Sequence, residues 1–450
     1  MIGHTRQRLQ APSHRRQAGL IALACAVLLL AGCRSQEEED IQVAGDLALP
    51  AQAHVIEVVG GTASLPSATR RTAWTQAAGS ADHTLGHSSF DGVPTSLWVQ
   101  DVSTPMDRGR LASMEPLIYA GRAFVITWDR QVLALNLNTG AIEWRQDLGE
   151  TSRNVEDQDD TSNFGGGLAL MQDRLFAATG TGMLHALDLD DGSIAWSLPL
   201  SGPVRGGPLA YAQSLYLIDV FGTLSAVSTA GTLQWTVPAP EGLTTLLAPS
   251  TPTGANHGIF AMQPNGVLTA FTPNGELSWR FDLGLNAGTG RLADRIGDAR
   301  ALTLVDDSFL LASSWSGRTV ALTANKGQVL WDIPIGGAAT PALTADYVFL
   351  VTKDGVLRAL ERDTGLQIWS RDLSQSLPQQ RRQPVGWFGP LMAGGRLILA
   401  STSGVLTFVD PATGAQDFSL HLGSPIATPL SLASDTLLVT TQDGKIHAFK

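Results

Sequence analysis

Cysteine is almost missing from this sequence: Cys25 and Cys33 are the two among 450 residues. Both lie in or at the end of an apolar N-terminal run, so no thiol remains further along for a disulfide, a zinc site or a nucleophile. Charge is sparse as well, at 16% of residues, and cations are the smaller share, with 30 Lys and Arg against 41 Asp and Glu. Such a surface repels phosphate backbones, and no basic stripe interleaved with aromatics occurs, which argues against nucleic acid as a partner. There is no G-x-S-x-G, phosphate loop, dinucleotide fingerprint or zinc-peptidase helix. The apolar run from Ala18 to Leu30 is too short to span a bilayer comfortably.

That run follows Arg6, Arg8, Arg15 and Arg16 and ends in Leu30-Ala31-Gly32-Cys33. A basic segment, an apolar stretch and small residues before a cysteine resemble the signal of bacterial lipoproteins, whose cysteine sulfur receives a diacylglyceryl group. Residues 1–32 are therefore expected to be a signal peptide and Cys33 the lipid attachment site; an uncleaved anchor with an incidental cysteine is the alternative. Removing residues 1–32 takes away four arginines and no acid, which moves the net charge from −11 to −15. Several acyl chains, each gaining about 0.8 kcal/mol per buried methylene, would hold the protein at a membrane permanently. Arg34, rather than Asp, follows the cysteine, which implies export to the outer membrane, facing the periplasm. Residues 33–94, with the acidic run Glu37 to Asp40 near their start, show no sustained periodicity and read as the lipidated cysteine and a tether.

From residue 95 to 450 one pattern returns: an apolar strand, a Gly-bearing turn, a strand ending in Ala-Leu, a second turn with Gly, and a strand opening on Trp. Its Ala position is held by Ala134, Ala186, Ala226, Ala270, Ala321, Ala359, Phe408 and Ala448. The turn glycines follow at Gly140, Gly192, Gly231, Gly275, Gly327, Gly365 and Gly414, and the aromatics at Trp144, Trp196, Trp235, Trp279, Trp331, Trp369 and Phe418. The eighth repeat has no closing strand of its own, but Trp98-Val-Gln-Asp-Val102 looks like Trp144-Arg-Gln-Asp-Leu148. The expected fold is all-β: an eight-bladed β-propeller of four-stranded antiparallel blades, its ring closed by the N-terminal strand around Trp98. Ala lets sheets approach and Trp fills the wedge between blades, so the repeated tryptophans are read as structural rather than as ligand-stacking platforms.

The spacing from Ala134 through Thr139-Gly140 to Trp144, repeated from Ala359 through Thr364-Gly365 to Trp369, resembles the tryptophan-docking repeat of pyrroloquinoline-quinone-type propellers. Together with the cysteine signal, Gly165-Gly-Gly-Leu-Ala169, Pro203-Val-Arg-Gly-Gly-Pro208 and Trp387-Phe-Gly-Pro390, it resembles the BamB family of outer-membrane assembly factors. The resemblance implies a non-enzymatic scaffold subunit of the β-barrel assembly machinery. Such a subunit would bind the periplasmic domains of BamA and other assembly subunits, and would help nascent outer-membrane proteins. The family's contact loops match Leu243 to Pro249 and Arg291 to Arg300. Leu246 and Asp298 stand at matching apolar and acidic positions, while Leu247 and Arg300 depart from the pattern of some relatives.

A quinone-dependent dehydrogenase or a carbohydrate-active propeller is the alternative. A mature chain without a cysteine pair cannot form the adjacent-cysteine disulfide on which some quinone enzymes stack their cofactor, and no catalytic, metal or cofactor residue is assigned. Glu156-Asp-Gln-Asp-Asp160 reads as a solvated loop and Asp188-Leu-Asp-Asp-Gly192 as a hairpin turn, not a calcium loop. His83 and His87 have ligand spacing only on a helix, and their surroundings are rich in Gly and Ser. His185 and His447 share a repeat position that varies freely between repeats.

Overall fold

Each repeat folds into four strands because its apolar runs are two to seven residues long and its turns hold residues that accept positive φ. The computed structural model describes residues 43–44, 61–63, 65–105, 115–149, 165–239, 250–263, 266–283, 301–314, 317–337, 339–377 and 385–450. Second and third strands, such as Arg122–Ile126 and Gln131–Asn136, are buried on both faces; the fourth, such as Ile142–Asp147, alternates exposed and covered residues. Apolar continuity thus marks the middle of each sheet and alternation its outer edge. Among the described residues no helix is long and apolar enough to cross a membrane.

The strands form eight antiparallel sheets at 117–147, 166–199, 209–237, 253–282, 304–333, 342–372, 387–421 and 431–449, blades 1 to 8 in that order. Blade 8 takes its outer strand from Ser96–Asp101, which pairs antiparallel with Lys445–Phe449 and sets Trp98 opposite Ala448. The expected eight-bladed ring, closed by an N-terminal strand, is the observed architecture. Blade 4 departs from four strands: Val43–Ala44 adds a fifth, parallel to Leu277–Asp282.

The repeated residues meet in two ways. Within a blade the small Ala sits between two larger residues, as in the row Phe124, Ala134, Trp144 across neighbouring strands, and the two rings lie 6.0 Å apart. Between blades, each Trp packs on the turn glycine of the next: a Cβ on Gly192 would stand 2.5 Å from the Trp144 ring, and one on Gly140 2.6 Å from Trp98. Any side chain at these glycines would therefore push the blades apart. The indole N–H then donates to a carbonyl of the same turn, Trp98 to Leu137 at 2.9 Å and Trp144 to Leu189 at 3.0 Å. Trp98 thereby fastens blade 8 to blade 1.

One boundary moves. The tether expected through residue 94 does not extend that far, because Trp74, His83, His87 and Phe90 are buried against the blades. Low periodicity hid this segment: its backbone bonds go by ones and twos to many strands rather than to one partner.

Candidate functional site

Strand direction alternates within a blade, so two kinds of connection share one face: those between blades, and the turns from second to third strands. The remaining turns lie on the opposite face. Leu246, Leu247, Asp298 and Arg300 fall in inter-blade connections but lie outside the described residues, as do Cys33, Arg34 and Glu156 to Asp160. The connections that carry the four partner-site positions run from blade 3 to 4 and from blade 4 to 5, so both are anchored on blade 4. Their described flanks, Ser250, Leu283 and Ala301, are buried.

On this same face stands a residue that the sequence reading missed. The second turns read Thr127-Trp-Asp129, Thr179-Gly-Thr181, Thr352-Lys-Asp354, Ser401-Thr-Ser403 and Thr441-Gln-Asp443, with a small polar residue third. In blade 3 the turn is Asp219-Val-Phe221, and Phe221 is 54% exposed. The Asp219 carboxylate accepts from the N–H groups of Phe221 and Thr223 at 2.9 Å and from the Ser201 hydroxyl at 2.7 Å. A rigid turn thus presents an aromatic ring to solvent, where burying it against a partner would be favourable. The signal was available as a break in the turn pattern.

The opposite face is covered. Residues 71–88 travel round the ring and bond in succession to the inner strands, or the turns that follow them, of blades 8, 1, 2, 3, 4, 5 and 7. The contacts are Arg71 with Ser434, Trp74 with Ile118, Thr75 with Leu170, the Gln76 side chain with Ala210, Ala81 with Gly254, Asp82 with Val305, and Ser88 with Met392 and Gly394. These are 2.7 to 3.0 Å long, apart from the bond that Gln76 Nε2 donates to the Ala210 carbonyl at 3.4 Å. Beneath this cap lies a cavity of about 230 Å³. It reaches from Trp74, Ala78 and His83 in the cap to Lys353 and Thr402 in second turns.

Two buried titratable groups border that cavity. Glu115 is 3% exposed; one carboxylate oxygen accepts from the Ala78 N–H at 2.6 Å, and the other has no hydrogen-bond partner. Burial pushes its carboxyl above the ordinary range, opposed by that N–H and more weakly by the nearby Trp74 indole. Ala78 itself holds φ of 49° in the left-handed region. His83 is buried, and Nδ1 donates to the Thr303 carbonyl at 2.9 Å, which leaves Nε2 a bare acceptor without a partner. Burial lowers its pKa to about 4, against the weaker pull of the Thr303 carbonyl and of Asp82, so the ring is neutral.

His87, His185 and His447 are occupied locally. His87 Nδ1 bonds the Pro66 carbonyl at 2.7 Å, and its Nε2 accepts from the Gly395 N–H. His185 Nδ1 meets Ser197 Oγ at 2.8 Å, and His447 Nε2 meets Thr441 Oγ1 at 3.3 Å. Asp188 and Asp191 accept from the N–H groups of Asp190 and Ser193, as turn residues do. Among the described residues no group of three or more His, Cys, Asp or Glu side chains could hold a metal ion.

A family model described as outer membrane protein assembly factor BamB matches residues 129–371 and 353–450. The outer membrane protein assembly factor BamB of Yersinia pestis is 24% identical over 364 residues, which cover 79% of this chain and 88% of the relative. The crystal structure of BamB from Moraxella catarrhalis superposes with a TM-score of 0.63 at 17% identity, over 80% of this chain and all of that one. A europium-containing methanol dehydrogenase reaches a TM-score of 0.65 at 14% identity, over 84% of this chain and 98% of that one. At such identities the structural likenesses speak for the propeller fold, which assembly factors and quinone enzymes share.

Proposed function

The chain belongs to the family of the outer membrane protein assembly factor BamB, and on that premise we propose that it is a non-enzymatic scaffold that binds BamA and assists insertion of outer-membrane proteins. In this reading a lipid on Cys33 holds it at the outer membrane, facing the periplasm, with the residues between Cys33 and the strand Val43–Ala44 as the tether. The family match along most of the propeller carries the reading. Two features support it physically. The repeated tryptophans are used up in joining blades, which leaves none of them as a stacking platform. The inter-blade face offers the exposed Phe221 in blade 3, the blade that the connection carrying Leu246 and Leu247 leaves.

The docking surface then comprises Leu246, Leu247, Asp298 and Arg300, with Phe221 as a further apolar anchor. Truncating a buried interface anchor typically costs about 2 kcal/mol or more, whereas a charge at the rim mainly alters association rate. Leu246→Asp with Asp298→Lys is expected to abolish co-purification with BamA, and Phe221→Ala to weaken it about thirtyfold, with melting temperatures near wild type. A stable double variant that still binds BamA fully would remove these residues from the site. A double variant that melts early would assign the leucine to the core instead.

A further inference from the structure

Blade 5 breaks the repeat with a buried charge. Its third strand, Arg318–Thr323, opens on an arginine, where four other blades place Met183, Val267, Val356 or Val405. The Arg318 side chain is 6% exposed, and its partner, the Asp332 carboxylate in the outer strand of the same blade, is 9% exposed. We infer that Arg318 is a positioning residue for partner docking: it fixes the root of the connection from blade 4 to blade 5, which carries Asp298 and Arg300. This inference rests on the docking role proposed above and deepens it.

One guanidinium spans the junction between the two blades. Its Nε and Nη2 donate to the Asp332 carboxylate at 3.0 and 2.5 Å, and Nη1 reaches across to blade 4 and donates to the Asp282 carbonyl at 2.9 Å. Asp282 ends the outer strand of blade 4, and the connection departs from there. The guanidinium carbon also stands 5.2 Å from the centre of the Phe281 ring, so two successive residues of blade 4 are held by one side chain of blade 5. From within blade 4, the Leu283 N–H donates to the Gly266 carbonyl in the second turn at 3.0 Å. That bond belongs to the repeat, since Leu148, Leu373 and Leu422 donate in the same way to Arg130, Gly355 and Gly404. The arginine clamp is added to it.

Stability does not account for the clamp. A buried ion pair is often no better than well-packed apolar residues of similar volume, which other blades use at this position. What it supplies is direction, because the planar fork presents its N–H groups in a fixed arrangement that suits one placement of the carboxylate and the carbonyl. The base of the fork is braced as well: Ser314 Oγ accepts from the Arg318 N–H at 3.3 Å, and the adjacent Thr319 hydroxyl donates to the Ile335 carbonyl at 2.6 Å. The chain therefore leaves blade 4 from a fixed point, which lowers the cost of ordering it against a partner.

The test compares the full mature wild type with Arg318→Met plus Asp332→Leu and with Arg318→Lys. Each is measured for affinity to the BamA periplasmic domains, thermal midpoint, and amide exchange over residues 283–300. The double variant removes both charges together, so it should melt near wild type while binding about tenfold more weakly, with faster exchange confined to that segment. Arg318→Lys keeps a charge opposite Asp332 but has no fork to reach Asp282, so weaker binding and faster exchange are expected of it even if the double variant folds poorly. Wild-type affinity in a folded variant would overturn the inference. So would weaker binding without faster exchange, which would make Arg318 a contact of the partner rather than a support for the connection. A wild type that does not bind BamA would sink the docking role itself, and this inference with it.

Discussion

Blades 7 and 8 meet through Phe418, whereas the other described junctions meet through a tryptophan, and the difference lies in the partner turn rather than in the aromatic. At a tryptophan junction the next blade offers a hairpin between its third and outer strands. Its glycine makes room for the ring, and a carbonyl two or three residues earlier accepts the indole N–H. Blade 8 has no such hairpin, because its outer strand Ser96–Asp101 arrives from the other end of the chain. Thr95 and Lys450 exchange two backbone hydrogen bonds where the turn would be, at 2.7 and 2.9 Å. An indole N–H placed there would find no turn carbonyl, and phenylalanine carries no N–H to satisfy. The interior of blade 7 adjusts with it: the row Phe, Ala, Trp becomes Ile398, Phe408, Phe418, and the two phenyl rings stack 4.3 Å apart. Bulk moved from the outer and second strands to the third, a volume-conserving change of the kind cores tolerate.

The largest test of that comparison removes the closure altogether. Deleting residues 34–42, which lie before the added strand Val43–Ala44, should leave the unfolding midpoint unchanged. Deleting 34–94 strips the cap and should lower it, and deleting 34–104 should prevent cooperative folding. The last cut exposes the edge of Lys445–Phe449 and removes Trp98, worth about 3 to 5 kcal/mol by large-to-small core values. Urea denaturation of the three truncations decides the matter. Equal midpoints for the second and third would mean that the strand around Trp98 contributes nothing to the ring.

The ring was legible in the sequence because each blade repeats the same demands: a glycine where the turn needs positive φ, a small residue between two rings, an aromatic at the junction. Even Phe408, out of pattern as a bulky residue in the Ala position, occupied the right slot. The cap was not legible. Trp74, His83 and Phe90 sit in Gly- and Ser-rich sequence without periodicity, since a segment that gives one or two bonds to each of many strands follows no strand or helix period. Glu115 and His83 were hidden for the same reason: 32 positions apart in the chain, they border one cavity because the cap brings residue 83 across the ring. Phe221 was visible only once the second turns were aligned with one another.

A smaller perturbation separates the two uses of glycine. Gly192 and Gly423 hold φ of 73° and 78°, so alanine at either costs roughly 1 to 2 kcal/mol of backbone strain. At Gly423 a Cβ would meet nothing within 4 Å, but at Gly192 it would stand 2.5 Å from the Trp144 ring. Gly192→Ala should therefore cost about 1 to 3 kcal/mol more than Gly423→Ala in thermal or urea unfolding. Equal losses would show that the junction yields without strain and that Trp144 is not tightly docked.

The finest distinction is the hydrogen bond itself. Trp279 is 4% exposed and donates to the Ala324 carbonyl at 3.0 Å, so Trp279→Phe strands a buried acceptor and should cost about 1 to 3 kcal/mol, along with the lost ring volume. Trp144→Phe should cost less, because the Leu189 carbonyl keeps a second donor, Arg122 Nη1 at 3.0 Å. Phe418→Trp reverses the exchange at the junction without a turn. Phe418 is partly exposed, so the new N–H can reach water, and the change should fall within about 0.5 kcal/mol of wild type. The expected order of losses in unfolding free energy is Trp279→Phe, Trp144→Phe, Phe418→Trp. If Phe418→Trp stabilises the ring by as much as Trp279→Phe destabilises it, the aromatic is chosen for size alone. The turn carbonyl would then play no part in deciding which residue stands at each junction.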